Sequence, residues 1–465
     1  MSVLDAPVAA EPSEARVAGA LNPDRYRIPI TIALTLGVLA LLTTVGADSD
    51  WLVALGRIIV RHGGVPHGVP FAATATGHWP NPLALGEIIL YGLHAAFGTS
   101  GLLAAQLLAV GVAQWVIAVD ARAAGARTAA VTSTLLLIAI GALPSLALVR
   151  VQLFSLVLFP LIVALLRAEH RRASKRIWLV LPLLAVWSNL HGAVLSGLVL
   201  LYAYLVFSRA RHQPRTALLL ALAAPLAVCV TPAGLHTVDY FRGLVGNLAA
   251  QRGVGQWAPL GHDPFDWVLL GVVLVFALRI RRARLRPDLW EAVVILVLTV
   301  LSVKAGRDGV WLLFFLAVPA ARAARPGRSW NGLLPLGLAA AVLAFAVGAG
   351  HWGRVGRTGE AAARQAVALA HGSPVLADAL LSEQVAVAGG RIWAGNPLDA
   401  FSRSVQARYL DWIAGRAGPR SPLADRRVRV VVAVAGTAAA RLTRADHAFV
   451  HTTTVGSAEI FTRRQ

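Results

Sequence analysis

Long apolar runs separated by short polar or basic segments organise most of this chain. The first extends from about Arg27 to Ala47, and others follow near 101–119, 128–147, 152–166, 177–190, 192–208, 217–231, 266–278, 288–303, 309–321 and 331–349. A membrane-crossing helix needs about 20 apolar residues, fewer where it is not tilted, so this pattern predicts an all-α bundle of about eleven transmembrane helices over residues 27–350. Residues 1–26 are polar and Ala-rich and lack the charged start, short apolar core and cleavage site of a signal peptide.

Charge decides the ambiguous run, Leu83 to Phe97. It has the hydropathy of a span, but counting it would scatter the basic clusters around Arg122/Arg127, 167–176, Arg209/Arg211/Arg215, 279–286 and Arg322/Arg325/Arg328 across both sides. Leaving it in the interface puts all of them on one side, as the positive-inside bias requires. Trp51 to His62, with Arg57 and Arg61 on one helical face, is placed likewise. The resulting expectation is a cytoplasmic N-terminus in a cell membrane and outer loops at 48–100 and 232–265. The first loop carries two membrane-parallel helices, and the C-terminal domain is extracytoplasmic.

The pattern changes after Gly350. Residues 351–465 have ordinary polarity. Pro374 to Ala377, Val428 to Val434, Phe449 to Val455 and Glu459 to Thr462 have strand character, whereas Ala361 to Ala370 and Phe401 to Ile413 have helical character. A small α/β domain is expected there.

Composition narrows the class. Hydrophobic residues make up 57% and charged residues 14%, against about 45–50% and about 25% in soluble domains. The net charge of +20 would suggest nucleic acid in a soluble protein. Here the basic residues sit between apolar runs, so the bilayer is the expected partner and nucleic acid is not. Cys229 is the single cysteine, which excludes a disulfide framework and Cys-based metal centres. No Walker A loop, no convincing G-x-G-x-x-G unit and no G-x-S-x-G elbow is found, and His62, His67, His78 and His94 lack metal-ligand spacing.

Ionisable side chains are costly near hydrocarbon, about 2.5–3.5 kcal/mol each at a helix centre. In this topology they gather at the outer ends of the spans and leave the middle nearly free of charge. A transporter would place them at the midplane. Asp48 and Asp50, just beyond the first span, have the spacing to share a divalent ion such as Mg or Mn or to supply a general base. The alternative is that they cap the helix beginning at Trp51. Glu87 lies in an otherwise apolar helix, as a candidate catalytic acid or as a carboxylate paired to Arg57 or Arg61. Arg150, Lys304 and Arg307 stand at span mouths against the positive-inside bias and suit a phosphate, or salt bridges with nearby Asp residues. Asn189 and His191, in Trp187 to Gly192, lie at an outer turn, either as phosphate or hydroxyl contacts or as parts of a tight helical hairpin.

Several short motifs recur in one order. They are Asp48-Ser49-Asp50-Trp51, Gly56-Arg57-Ile58-Ile59, Gly64-Val65-Pro66, Glu87, Arg150-Val151-Gln152-Leu153-Phe154 and Trp187 to Gly192. With one span before the acidic loop and a soluble domain at the end, they resemble the GT-C superfamily of membrane glycosyltransferases, in particular a bacterial subgroup of that layout. The superfamily includes protein O-mannosyltransferases and the catalytic subunit of oligosaccharyltransferase. The resemblance covers most of 27–350. It implies that an acidic residue of the first outer loop is the base or a metal ligand, here Asp50 or Asp48. It also implies that basic residues at span mouths, here Arg150, Arg307 and Lys304, hold the phosphate of a lipid-linked sugar. An acidic residue is expected before Trp257, where this chain has Gln256. The implied function is sugar transfer from a polyprenyl-phosphate donor to an envelope glycan or protein acceptor at the outer face. The rivals are a non-catalytic scaffold that keeps the fold and a lipid or solute transporter.

Overall fold

Each apolar run within the described residues folds as helix. The structure, a computed structural model, describes residues 24–46, 48–324, 340, 347, 357–418 and 421–464. Most of the N-terminal tail and the eleventh run, 331–349, lie outside the described residues. Among the described residues four helices are long and apolar enough to cross a membrane: Asp24–Leu42, Ala84–Ala123, Leu153–Arg171 and Val194–Arg211. The remaining runs make shorter helices, among them Thr128–Gly141, Pro214–Val228, Pro264–Arg282, Leu289–Lys304 and Gly309–Ala323. The helices at Asp50–His62 and from Ala84 are both present. The second is not separate from the following run. It is one arm of Ala84–Ala123, bent where Gly98 takes φ 59° and ψ −152°, a conformation open to glycine.

The two ends of the bundle differ in chemistry. At one end the basic clusters are tied together by buried ion pairs. Arg167 meets Asp120 at 3.4 Å and Glu291 at 3.2 Å, Arg171 meets Asp120, and Arg209 meets Glu169 at 3.0 Å. Breaking one partner of such a pair costs about 3–5 kcal/mol, because it strands the other charge away from water. The opposite end of the Leu153–Arg171 helix, about 28 Å away at 1.5 Å per residue, carries Arg150 and Gln152.

A two-residue pairing organises that opposite end. Strand β1 (Thr44–Val45) lies parallel to β2 (Leu148–Val149). Gly46 N donates to Val149 O, and Ser49 Oγ donates to the same carbonyl. A Cβ on Gly46 would sit 2.5 Å from Leu148 Cγ, so glycine is what allows this approach. The pairing sets Asp48, just past β1, beside Arg150, just past β2. Gly56 plays a similar part between the two loop helices, where its missing Cβ would lie 2.1 Å from Glu87 O.

The C-terminal domain is a four-stranded sheet in the order β3-β4-β6-β5. β3 is Val375–Ala377, β4 Val430–Val434, β5 Phe449–Val455 and β6 Ala458–Arg463. β3 and β4 are parallel and the other pairs antiparallel. The alternating or fully apolar runs anticipated as strands form this sheet, and Arg357–Ala370 and Arg403–Ile413 are its anticipated helices. Two further helices, Ala379–Val387 and Ala438–Ala445, were not anticipated.

This domain docks on both loops. Ile392 N donates to Phe71 O and Ala73 N donates to Ile392 O, so the first loop adds to the sheet edge beside β3. Arg57 donates to Val387 O and Ala386 O, the last carbonyls of the Ala379–Val387 helix. Arg252 of the second loop pairs with Asp411 at 2.8 Å.

Candidate functional site

Where the docked domain meets the bundle it encloses a cavity of about 460 Å³, lined by Asp48, Arg150, Gln152, His191, Arg307 and Asp308 from the membrane part, with Asn396 and Asp399 from the C-terminal domain. Aromatic side chains complete the wall: Trp51, Tyr240, Trp257 and Trp311. One positive side thus faces several carboxylates.

Arg150 is held by burial more than by partners. Its Nε is buried with no hydrogen-bond partner among the described residues. Burial pulls its pKa below the usual arginine value, with the charges of Asp48 and Glu383 opposing the shift and that of Arg307 adding to it. Arg307 is better held. Its guanidinium lies over the Trp257 ring at 3.9 Å, and Nη1 donates to Gln256 Oε1 at 3.1 Å. The Gln256-Trp257 pair, which departs from the acidic residue expected there, is therefore the cradle of Arg307.

Asp48 occupies the left-handed region, with φ 79°, a strained choice for a residue with a Cβ. Its backbone amide donates to both oxygens of Glu383, at 2.9 and 3.1 Å. Its Oδ1 accepts from Asn396 Nδ2 at 3.1 Å. Asp50 begins the Asp50–His62 helix and does not line the cavity. Burial pushes it up to about 7, and Glu360 adds to the shift. Neither Asp caps the helix by its side chain, since the N-cap is Ser49.

Asp48 thus lines the cavity and Asp50 does not, so the two carboxylates face different surroundings. Among the described residues no group of three or more His, Cys, Asp or Glu side chains is arranged to hold a metal ion.

His191 lines the cavity as a neutral ring. Burial, then the charge of Arg307, lowers it to about 3. Its Nδ1 lies 2.6 Å from Ser155 Oγ, which also accepts from Trp187 Nε1 at 2.6 Å. It is placed to hydrogen-bond and not to supply positive charge.

Besides Asp50, three predicted site residues stand apart from the cavity. Glu87 is fully buried, and both its oxygens accept from Asn81 Nδ2, at 2.9 and 2.8 Å. It does not pair with Arg57, whose guanidinium caps the Ala379–Val387 helix. Asn189 ties three segments: Nδ2 donates to Ala185 O and Val230 O, and its carbonyl accepts from Gly86 N. Lys304 ends its helix exposed, one turn before Arg307 turns inward.

The C-terminal domain supplies groups that local pattern did not reveal. Asp399 accepts from Trp79 Nε1 at 2.7 Å, and burial raises it to about 6. Glu383 is fully buried, and burial followed by the Asp48 charge pushes it well up. Asn396 and Asp399 both come from the short Pro-containing segment Asn396 to Phe401.

No protein-family model and no curated protein sequence matches the chain. Solved structures do. ArnT from Cupriavidus metallidurans bound to undecaprenyl phosphate aligns with a TM-score of 0.55 at 14% identity, covering 95% of this chain and 98% of that one. The same protein in the apo state gives 0.54 at 15% identity over 96% and 98%. At that identity the likeness speaks to the fold. The chain has the fold of these ArnT structures, the layout that its resemblance implied, and its long apolar helices are those of a membrane protein.

Proposed function

We propose that this chain is a membrane glycosyltransferase that moves a sugar from a polyprenyl-phosphate donor to a cell-envelope acceptor. One observation carries this reading: Arg150 and Arg307 line the same cavity as Asp48, and Arg150 has buried donor capacity left over. A planar guanidinium pair suits a phosphate better than a neutral solute. The neighbour structure, which holds undecaprenyl phosphate, supports the same class of donor. An apolar groove of about 570 Å³ shares Leu195 and Val245 with the cavity and suits the isoprenoid chain.

In this scheme Asp48, and not Asp50, takes the proton from an acceptor hydroxyl. The acceptor oxygen attacks the anomeric carbon of the sugar, and the bond from that carbon to the phosphate oxygen breaks. The electron pair leaves on the polyprenyl phosphate, whose growing charge Arg150 and Arg307 neutralise. Neutral His191 and Asp399 are within the same cavity to accept or donate hydrogen bonds to sugar hydroxyls. No step is routed through a metal ion.

The basic clusters at the far end of the bundle support a cytoplasmic placement for that end and for the N-terminus, with the cavity and the C-terminal domain outside. A lipid-linked donor fits that side, where nucleotide sugars are not supplied.

The test is transfer from a labelled lipid-linked sugar in membranes containing the full chain. Asp48→Asn is expected to lower transfer by about 100-fold or more while leaving a measurable residual rate, and so is Asp48→Asn combined with Asp50→Asn. Transfer at the wild-type level by the double variant would remove this chemistry and leave the scaffold reading.

A further inference from the structure

The helix Asp50–His62 has an unusual start. Its N-cap, Ser49, spends its hydroxyl on Val149 O and makes no capping bond. The helix nonetheless has a carboxylate at its N-terminus. Glu383, 335 residues away in the chain, accepts from Asp48 N at 2.9 and 3.1 Å and from Asp50 N at 3.3 Å. A carboxylate there meets both the unpaired N–H groups and the positive end of the helix dipole.

Glu383 has a third donor. Asn396 Nδ2 lies 2.7 Å from its Oε1 and 3.1 Å from Asp48 Oδ1, so one amide group bridges the two acids. Glu383 itself is fully buried and does not line the cavity, whereas Asp48 and Asn396 do. These bonds hold Asp48 at φ 79°, a conformation uncommon outside glycine.

We propose that Glu383, with Asn396, is a positioning residue: the C-terminal domain completes the site by holding Asp48 in its strained conformation with its carboxylate toward the cavity. The domain is then a working part of the site, and undocking it disarms Asp48. This rests on the role of Asp48 proposed above. Its structural half, that Glu383 orders residues 48–50, stands independently of that role.

The experiment uses the full chain in lipid nanodiscs and two readouts. In the first, amide exchange is followed in a peptide spanning residues 44–56. Glu383→Gln, which keeps the shape but cannot accept all three bonds, is expected to raise exchange there and leave strand β4 protected as in wild type. In the second, transfer from the labelled lipid-linked sugar is measured. Glu383→Gln is expected to lower kcat by about tenfold or more with the donor KM within about twofold, the signature of a lost transition-state contribution. In the Asp48→Asn background it is expected to add no further loss, because it acts through Asp48. Asn396→Ser, which leaves Glu383 in place, is expected to shift kcat in the same direction and serves if Glu383→Gln fails to fold.

Unchanged exchange at 44–56 in a folded Glu383→Gln protein overturns the proposal. So does a loss that multiplies with that of Asp48→Asn, or a raised KM at constant kcat. If instead Asp48→Asn leaves transfer untouched while exchange rises in Glu383→Gln, the catalytic reading of Asp48 has failed and the ordering of the segment by Glu383 has not.

Discussion

Arg307 stacks its guanidinium 3.9 Å from the centre of the Trp257 ring while Gln256 Oε1 accepts from its Nη1. Both partners are neutral, so the arginine is oriented without being neutralised. An acidic residue at 256 would orient it too, but would also cancel the charge that a phosphate needs.

Two substitutions separate these roles. Trp257→Ala removes a cation–π contact worth about 0.5–2 kcal/mol and is expected to raise the donor KM by about 2- to 30-fold. Gln256→Glu keeps the bond yet is expected to weaken donor binding as well, because it pairs the charge. Titration of undecaprenyl phosphate into the protein in nanodiscs measures both. Tighter binding by Gln256→Glu would contradict the anion role of Arg307.

Arg150 offers an opposite signature in stability and binding. A buried guanidinium with an unpartnered Nε costs free energy that a methionine of similar length does not. Arg150→Met is therefore expected to leave the thermal midpoint unchanged or raised, and to lower affinity for undecaprenyl phosphate by about tenfold or more. Arg150→Lys is expected to restore only part of that affinity, since an ammonium lacks the planar fork. A large drop in thermal midpoint on Arg150→Met would mean that the residue is a structural ion-pair partner instead.

The membrane part of this picture was legible because its signals are local. Apolar runs mark their own helices, and arginines between them mark one end. Arg150, Arg307 and His191 stood out because an ionisable group at the mouth of an apolar run needs a reason to be there. Which of two near neighbours faces the cavity was not legible. Asp48 and Asp50 look equivalent in sequence, but the helix begins between them and turns Asp50 away. Likewise Lys304 ends one helix exposed while Arg307, in the following 3-10 turn, points in. Glu383 was out of reach altogether. The Ala379–Val387 helix is buried over much of its length, from Leu381 to Ala386, and so has no amphipathic pattern to mark it. Its partners Asp48 and Asp50 lie more than three hundred residues away.

Gly46 is expected to be sensitive out of proportion to its size. Its Cβ would fall 2.5 Å from Leu148 Cγ and 2.9 Å from both methyl carbons. Gly46→Ala therefore forces β1 from β2 and shifts Asp48 relative to Arg150, with a loss of transfer of about tenfold or more at nearly constant expression. Shortening the obstructing side chain tests the cause. Leu148→Ala added to Gly46→Ala is expected to recover part of the activity. A double variant that is worse than Gly46→Ala alone would show that the spacing of these strands is not what matters.

The last prediction concerns pH. Burial raises Asp50 from 3.8 to about 7 in the folded protein, with Glu360 adding to the shift. The folded state therefore holds a proton that the unfolded state has lost between those two values. Stability falls wherever the folded state binds more protons as pH rises, so this carboxyl's contribution is full below about pH 4 and is lost as pH climbs through about 7. Glu383, Asp308, Asp378 and Asp399 are also raised by burial and act in the same direction, so wild type is expected to lose thermal stability between about pH 5 and about pH 8. Asp50→Asn removes one of these carboxyls and is expected to flatten the decline, leaving the variant more stable than wild type at the alkaline end. Thermal unfolding of both proteins across that range reads the difference. Parallel curves would mean that Asp50 stays ionised in the folded protein, with water or a cation reaching it. That outcome would reopen the metal-ligand role that its spacing from Asp48 suggests.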